Sequence, residues 1–178
     1  IAPRIPAEVR ARVEAVDPTL DADLAEWWSD SCDRPRLQVL GPMRVRVGPA
    51  GRPTKAAARL GWYTEIVAYL STKPGGVTTQ DAADALKLTD ERVRVDMRIV
   101  RAWLGADPAT GANFLPDAKG HQRARERGVG LYLIEGLLCD ADLFRRLRLR
   151  GEARGSEGLD DLRMALRLVN GKPFDDMR

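Results

Sequence analysis

Apolar residues recur along this chain at two spacings, and the changes between them mark its elements. Leu60, Tyr63, Ile66, Val67 and Leu70 share one face of a helix expected to begin near Thr54 and to stop at Pro74-Gly75-Gly76. Thr78, with Asp81 three residues on, predicts a capped two-turn helix over 80–86 that buries Ala83 and Leu86. After the turn Lys87-Leu88, Thr89 predicts another cap, and Asp90 and Glu91 fall in the first turn, where the helix dipole favours negative charge. Beyond them Val93, Met97, Val100 and Leu104 line one buried stripe. Helix, short helix, tight turn and Arg-bearing helix is the order of a helix-turn-helix.

Elsewhere the period is shorter or broken. Leu37–Leu40 and Met43–Val47 are β-rich runs split by Gly41-Pro42, and Gly48-Pro49-Ala50-Gly51 closes the ribbon they predict. Residues 105–120, with two prolines, read as an extended loop with a strand edge at Asn113–Leu115. Arg123–Ile134 then reads as a returning ribbon whose tip is Gly128 and Gly130, with alternate residues of Leu131–Ile134 pointing into the core. Two antiparallel helices follow, Asp140–Arg150 and Leu159–Val169, joined through Gly151–Gly158. Leu143, Phe144 and Leu147 of the first are expected to bury against Leu159, Leu162, Leu166 and Val169 of the second. The fold class is therefore α+β, a winged helix-turn-helix with leading strands plus a C-terminal helical pair. Its parts are an acidic N-terminal arm (1–36), a winged-helix domain (37–136) and the helical pair (137–178). Trp27 and Trp28 are expected to staple a short helix of the arm onto the domain.

Composition adds little until it is resolved along the chain. The 178 residues are 44% hydrophobic, enough for a packed core, and the formal charge is only +3. From Arg92 to Arg127, however, eight basic residues stand against four acidic ones, whereas residues 1–33 carry three arginines against eight carboxylates. The eight are Arg92, Arg94, Arg98, Arg101, Lys119, Arg123, Arg125 and Arg127, and they form the candidate DNA-binding set. Guanidinium groups on successive turns repel one another unless solvated or facing an anion, and a duplex offers phosphates and guanine edges that fit their fork. Arg94 and Arg98 are the candidates for base edges, and Lys119, Arg123 and Arg125 for phosphates.

With its elements in this order, residues 37–134 resemble the winged-helix domain shared by OmpR-like response regulators and actinobacterial antibiotic-regulatory proteins, down to the Arg127-Gly128-Val129-Gly130 ending of the wing. Residues 138–176, with Asp140-Ala141-Asp142-Leu143-Phe144 and a closing Leu168-Val169-Asn170-Gly171-Lys172-Pro173-Phe174, resemble the opening helices of the bacterial transcriptional activator domain. The resemblance implies sequence-specific binding of double-stranded DNA, with the third helix in the major groove and Arg127 on the wing. RNA polymerase or another protein, and a second copy on DNA, are the further partners it implies. Ile99 stands where that family often has a basic residue, and Asp96 puts a carboxylate near the expected phosphates. Longer proteins of this arrangement carry LysM modules and membrane segments, so the alternative is a protein-interaction module of a larger, membrane-linked assembly.

Other chemistries find no footing in the sequence. Cys32 and Cys139 are far apart without a Cys-x-x-Cys, and read as reduced thiols of a cytoplasmic protein. His121 reads as a solvent residue of a polar loop without a partner. The pairs Asp160-Asp161 and Asp175-Asp176 read as caps and surface charge, since adjacent side chains do not face each other on a helix. There is no phosphate-binding glycine loop, nucleophile elbow or His-Glu-x-x-His. No enzyme, cofactor or metal is expected.

Overall fold

A computed structural model describes residues 6–49 and 56–175. The helices are α1 (Ala7–Val16), α2 (Leu20–Trp28), α3 (Leu60–Ser71), α4 (Thr79–Leu86), α5 (Asp90–Leu104), α6 (Gln122–Arg127), α7 (Asp140–Arg154) and α8 (Leu159–Arg167). The strands β1 (Arg36–Gln38), β2 (Arg44–Arg46) and β3 (Leu138–Cys139) form a small sheet in the order β2-β1-β3. The fold is mixed α+β. The expected helix start at Thr54, the ribbon closure at Ala50-Gly51 and Asp176 lie outside the described residues.

The chain divides into two compact units. One takes residues up to 30, residues 38–43 and everything from 138 on; the other takes residues 31–37 and 44–137. In the first unit α7 packs against α1, α2 and α8. Leu20, Leu24 and Trp27 of α2 are buried there, as are Leu143 and Leu147 of α7. The acidic N-terminal segment is thus built into the helical unit, because its carboxylates find arginines on α7. Arg146 donates to Asp17 and Asp23 at 2.7 Å, and Arg150 to Asp21 at 2.7 Å.

The helical pair exists, but its expected interface is wrong on one side. Leu159, Leu166 and Val169 are exposed, and α8 turns Asp161, Ala165 and Leu168 inward instead. Two features fix that rotation. Asp161 accepts from Arg150 and Arg154 of α7, at 2.7–3.1 Å. At the crossing, a Cβ on Gly158 would lie 1.9 Å from the Gly151 carbonyl oxygen, so the backbones meet with no room for a side chain. Asp161 is therefore a buried ion-pair residue, while its neighbour Asp160 is exposed and pairs with Arg163 at 3.0 Å. At the other end of α7, buried Asp140 accepts from the backbone N–H groups of Val39, Leu40 and Ala141, at 2.8–3.0 Å. Burial outweighs those hydrogen bonds and holds its carboxyl above the ordinary carboxylate range.

In the second unit α3, α4 and α5 follow the expected order, and α5 contacts both α3 and α4. Val93, Met97, Val100 and Leu104 are all buried as the spacing predicts. On α3 Tyr63, Ile66, Val67 and Leu70 are buried, whereas Leu60 is exposed. Thr78 and Asp81 form both halves of the capping box on α4, and the Thr89 hydroxyl accepts from the Arg92 N–H on α5. Lys87, at φ 54°, makes the turn between them.

The returning ribbon is not formed. Gln122–Arg127 is helix α6, since Gln-Arg-Ala-Arg-Glu-Arg are good helix formers and Gly128, at φ 69°, closes the helix in the left-handed region. Only Tyr132 pairs as a strand residue, with Val77, and Asn113 makes a single bridge to Ala106. Leu131 and Tyr132 are buried as neighbours, without alternation.

Candidate nucleic-acid interface

α5 projects its arginines from a helix anchored by the buried stripe, and each meets different surroundings. Asp96 is fully buried beneath the helix and does not stand among outward charges as its sequence position suggests. It accepts from Trp62 Nε1 at 2.9 Å, from the Tyr63 hydroxyl at 3.4 Å and from Arg92 Nε at 3.1 Å, with a second Arg92 nitrogen at 2.9 Å. Burial, and then the nearby Asp96 charge, push the Tyr63 hydroxyl pKa above its ordinary value. Arg92 therefore compensates a buried charge, although its side chain stays 39% exposed.

Arg101 is diverted further. Its Nε donates to the Leu115 carbonyl at 2.7 Å and a terminal nitrogen to the Pro116 carbonyl at 2.9 Å, while the other terminal nitrogen pairs with Asp117 at 3.0 Å. The last turn of α5 faces the loop that leaves it, and the guanidinium satisfies carbonyls there that have no strand partner. Arg101 is thus a loop anchor and not a free DNA-facing group.

Two arginines remain outward. Arg94 sits 3.6 Å from Asp90 with 59% of its side chain exposed, a weak, solvent-exposed pair. Arg98 is exposed one turn further on. Both line a cleft of about 600 Å³ together with Arg101, Asp117 and Lys119. Its other wall is the start of α4, Thr78, Thr79 and Gln80, and Met97, Val129 and Tyr132 supply apolar lining. Sequence reasoning missed the α4 residues as part of a site. The Thr78–Asp81 cap was the available signal, because a capped helix start presents N–H groups and the positive end of the dipole.

The remaining candidates sit apart from that cleft. On α6, Arg123 donates to the Pro74 carbonyl and Arg127 to the Gly75 carbonyl at 3.4 Å, while Arg125 is exposed. Arg127 is thus a helix residue near the Pro74-Gly75 turn and not the tip of a ribbon. His121 is buried and caps α6, in contrast to its reading as a solvent residue. Its Nδ1 accepts from the Arg123 N–H at 3.0 Å, and its Nε2 lies 2.9 Å from Glu135.

Neither cysteine is in a disulfide, and burial pushes the Cys139 thiol up to about 11. Among the described residues no group of three or more His, Cys, Asp or Glu could hold a metal ion, and no helix is long and apolar enough to cross a membrane. Comparison with family models, curated proteins and solved structures finds no match.

Proposed function

We propose that this chain reads double-stranded DNA in a sequence-specific way and regulates transcription, with α4, the Lys87–Leu88 turn and α5 acting as a helix-turn-helix. In this reading the unit is a winged helix in which the segment from Asp117 to Tyr132, with α6 inside it, takes the place of the wing. The observation that carries the proposal is the cleft in which Arg94, Arg98 and Lys119 meet the capped start of α4. The lining carries Arg94, Arg98, Arg101 and Lys119 against Asp90 and Asp117, together with the start of α4, and that positive excess beside a helix N-terminus suits a polyanion better than a neutral ligand. Arg98 and Arg94 contact base edges; Lys119, Arg125 and the remaining edge of Arg92 contact phosphates. The role assigns no catalysis, implies a cytoplasmic location, and leaves RNA polymerase or a second copy as further partners.

Selection from a random duplex pool at two salt concentrations tests it. With the three phosphate contacts just named neutralised, log affinity should fall against log salt with a slope of about −3, from roughly −0.9 per phosphate. An enriched sequence with that slope is the expected result; no enrichment and a slope near zero reject the proposal.

One observation favours a second reading, a protein-interaction module. Leu159 and Leu166 of α8, with Val169 just after it, leave exposed apolar side chains. In that case Leu166→Asp abolishes capture of the partner while Arg98→Ala leaves it intact.

A further inference from the structure

His121 is the only histidine of the chain, and it holds α6 with a nitrogen that can do so only while the ring is neutral. Nδ1 accepts the Arg123 N–H at 3.0 Å, which requires a lone pair there. The ring proton is then on Nε2, aimed at Glu135 Oε1 at 2.9 Å. A second proton can go only to Nδ1, and it turns the acceptor into a donor facing another donor. The start of α6, where backbone N–H groups converge, also opposes a positive charge.

We propose that His121 is a proton-operated latch on α6: neutral, it caps the helix; charged, it stays with Glu135 and releases the first turn. Three facts make α6 responsive to one lost cap. It has only six residues, too few to persist without support. Ala124 is its one buried residue. The Ala124 and Arg125 N–H groups both reach the His121 carbonyl, at 3.1 and 3.3 Å, so the same residue closes the first turn through its backbone as well.

The charges around the ring set the balance. Glu135, on the segment after Tyr132, is the carboxylate in contact with it and draws the charged form outward. Arg123, two residues along α6, opposes that form. In the loop before the cap, Asp117 is paired with Arg101 and Lys119 is exposed. The inference does not depend on a DNA role, since it concerns only the order of α6.

The test is a pH titration of the full chain labelled with nitrogen-15, from pH 8 to pH 5. At the upper end the ring nitrogens should report the form protonated on Nε2. As the ring gains its second proton, amide protection from Arg123 to Val129, corrected for intrinsic exchange, should fall about five- to tenfold, the effect of losing a helix cap. Protection in α5 should not change. His121→Asn, which caps without titrating, should make α6 protection independent of pH, and His121→Ala should keep it low throughout. The inference is overturned if α6 protection stays constant while the ring titrates, if the ring stays neutral down to pH 5, or if His121→Asn retains the pH dependence. The titration of the unmodified chain decides the matter alone if a variant fails to fold.

Discussion

α5 and α7 are alike in sequence and opposite in how they use it. Each is a 15-residue helix with arginines on nearly every turn. On α7, Arg146 and Arg150 are drawn into carboxylates from α2, α8 and the Asp17 turn, and Arg154 joins Arg150 on Asp161. On α5 the division runs within one helix: Arg92 and Arg101 are taken by Asp96 and by the loop after the helix, while Arg94 and Arg98 point into a cleft. Arginine density therefore says nothing of partner. What decides is whether acceptors within the fold reach the guanidinium first, because a fork with five donors binds whatever oxygen is held in place.

The sharpest way to break the comparison is on α7. Asp161→Ala leaves buried Arg150 with only the exposed Asp21 as partner, and should cost about 3 kcal/mol in chemical denaturation, the low end for breaking a buried pair. An effect below about 1 kcal/mol would mean that α7 resembles an exposed helix after all. Next, Arg101→Ala should remove about 1.5–3 kcal/mol of stability, the range for hydrogen bonds made by a charged group, and should loosen amide protection around Leu115. Arg98→Ala should do the reverse. Stability should stay within about 0.5 kcal/mol, whereas affinity for a selected duplex falls by about 1–3 kcal/mol. Equal losses from Arg98→Ala and Arg101→Ala in both assays would erase the distinction drawn within α5.

Two smaller effects sharpen it. The hydrogen bond from Arg146, opposed by burial and aided by the same residue's charge, holds the Asp17 carboxyl below its ordinary value of 3.8. Because the folded value is the lower one, the stabilisation is complete above that ordinary value and is lost as pH falls through the depressed one. The stability gap between the natural chain and Arg146→Gln should therefore be constant from pH 7 to about pH 5 and should narrow below about pH 4. Least of all, Arg94→Ala should change stability by only about 0.3–0.5 kcal/mol, the size of an exposed pair one turn apart.

What could be read in the sequence was local. The Thr78 and Thr89 caps and the Val93–Leu104 stripe follow from spacings of three and four residues, and the helices they announce are present. α6 escaped because its only buried residue is Ala124, which leaves no apolar period to detect. The burial of Asp96 and Asp161 escaped because a periodicity argument assigns carboxylates to the surface, whereas here arginines neutralise them inside and the Trp62 ring N–H donates to Asp96. The face of α8 followed from the same omission, since an ion pair and two glycines outranked Leu159, Leu166 and Val169, and only Leu162 of the expected stripe packs at the crossing. The joining of the N-terminal helices to α7 depends on contacts spanning more than 120 residues, such as Asp17 with Arg146, and no short-range pattern encodes those. For the candidate site, the sequence identified the cations but not which were already engaged.

The missing side chains at Gly151 and Gly158 carry a consequence beyond their own turn. The backbones there lie so close that a single methyl group acts as a wedge, and what it forces apart is the spacing at which Asp161, three residues on, meets the guanidinium groups of α7. The smallest possible enlargement of the chain thus reaches charges it never touches, and the hinge of the helical pair sets the tension on its ionic clasp.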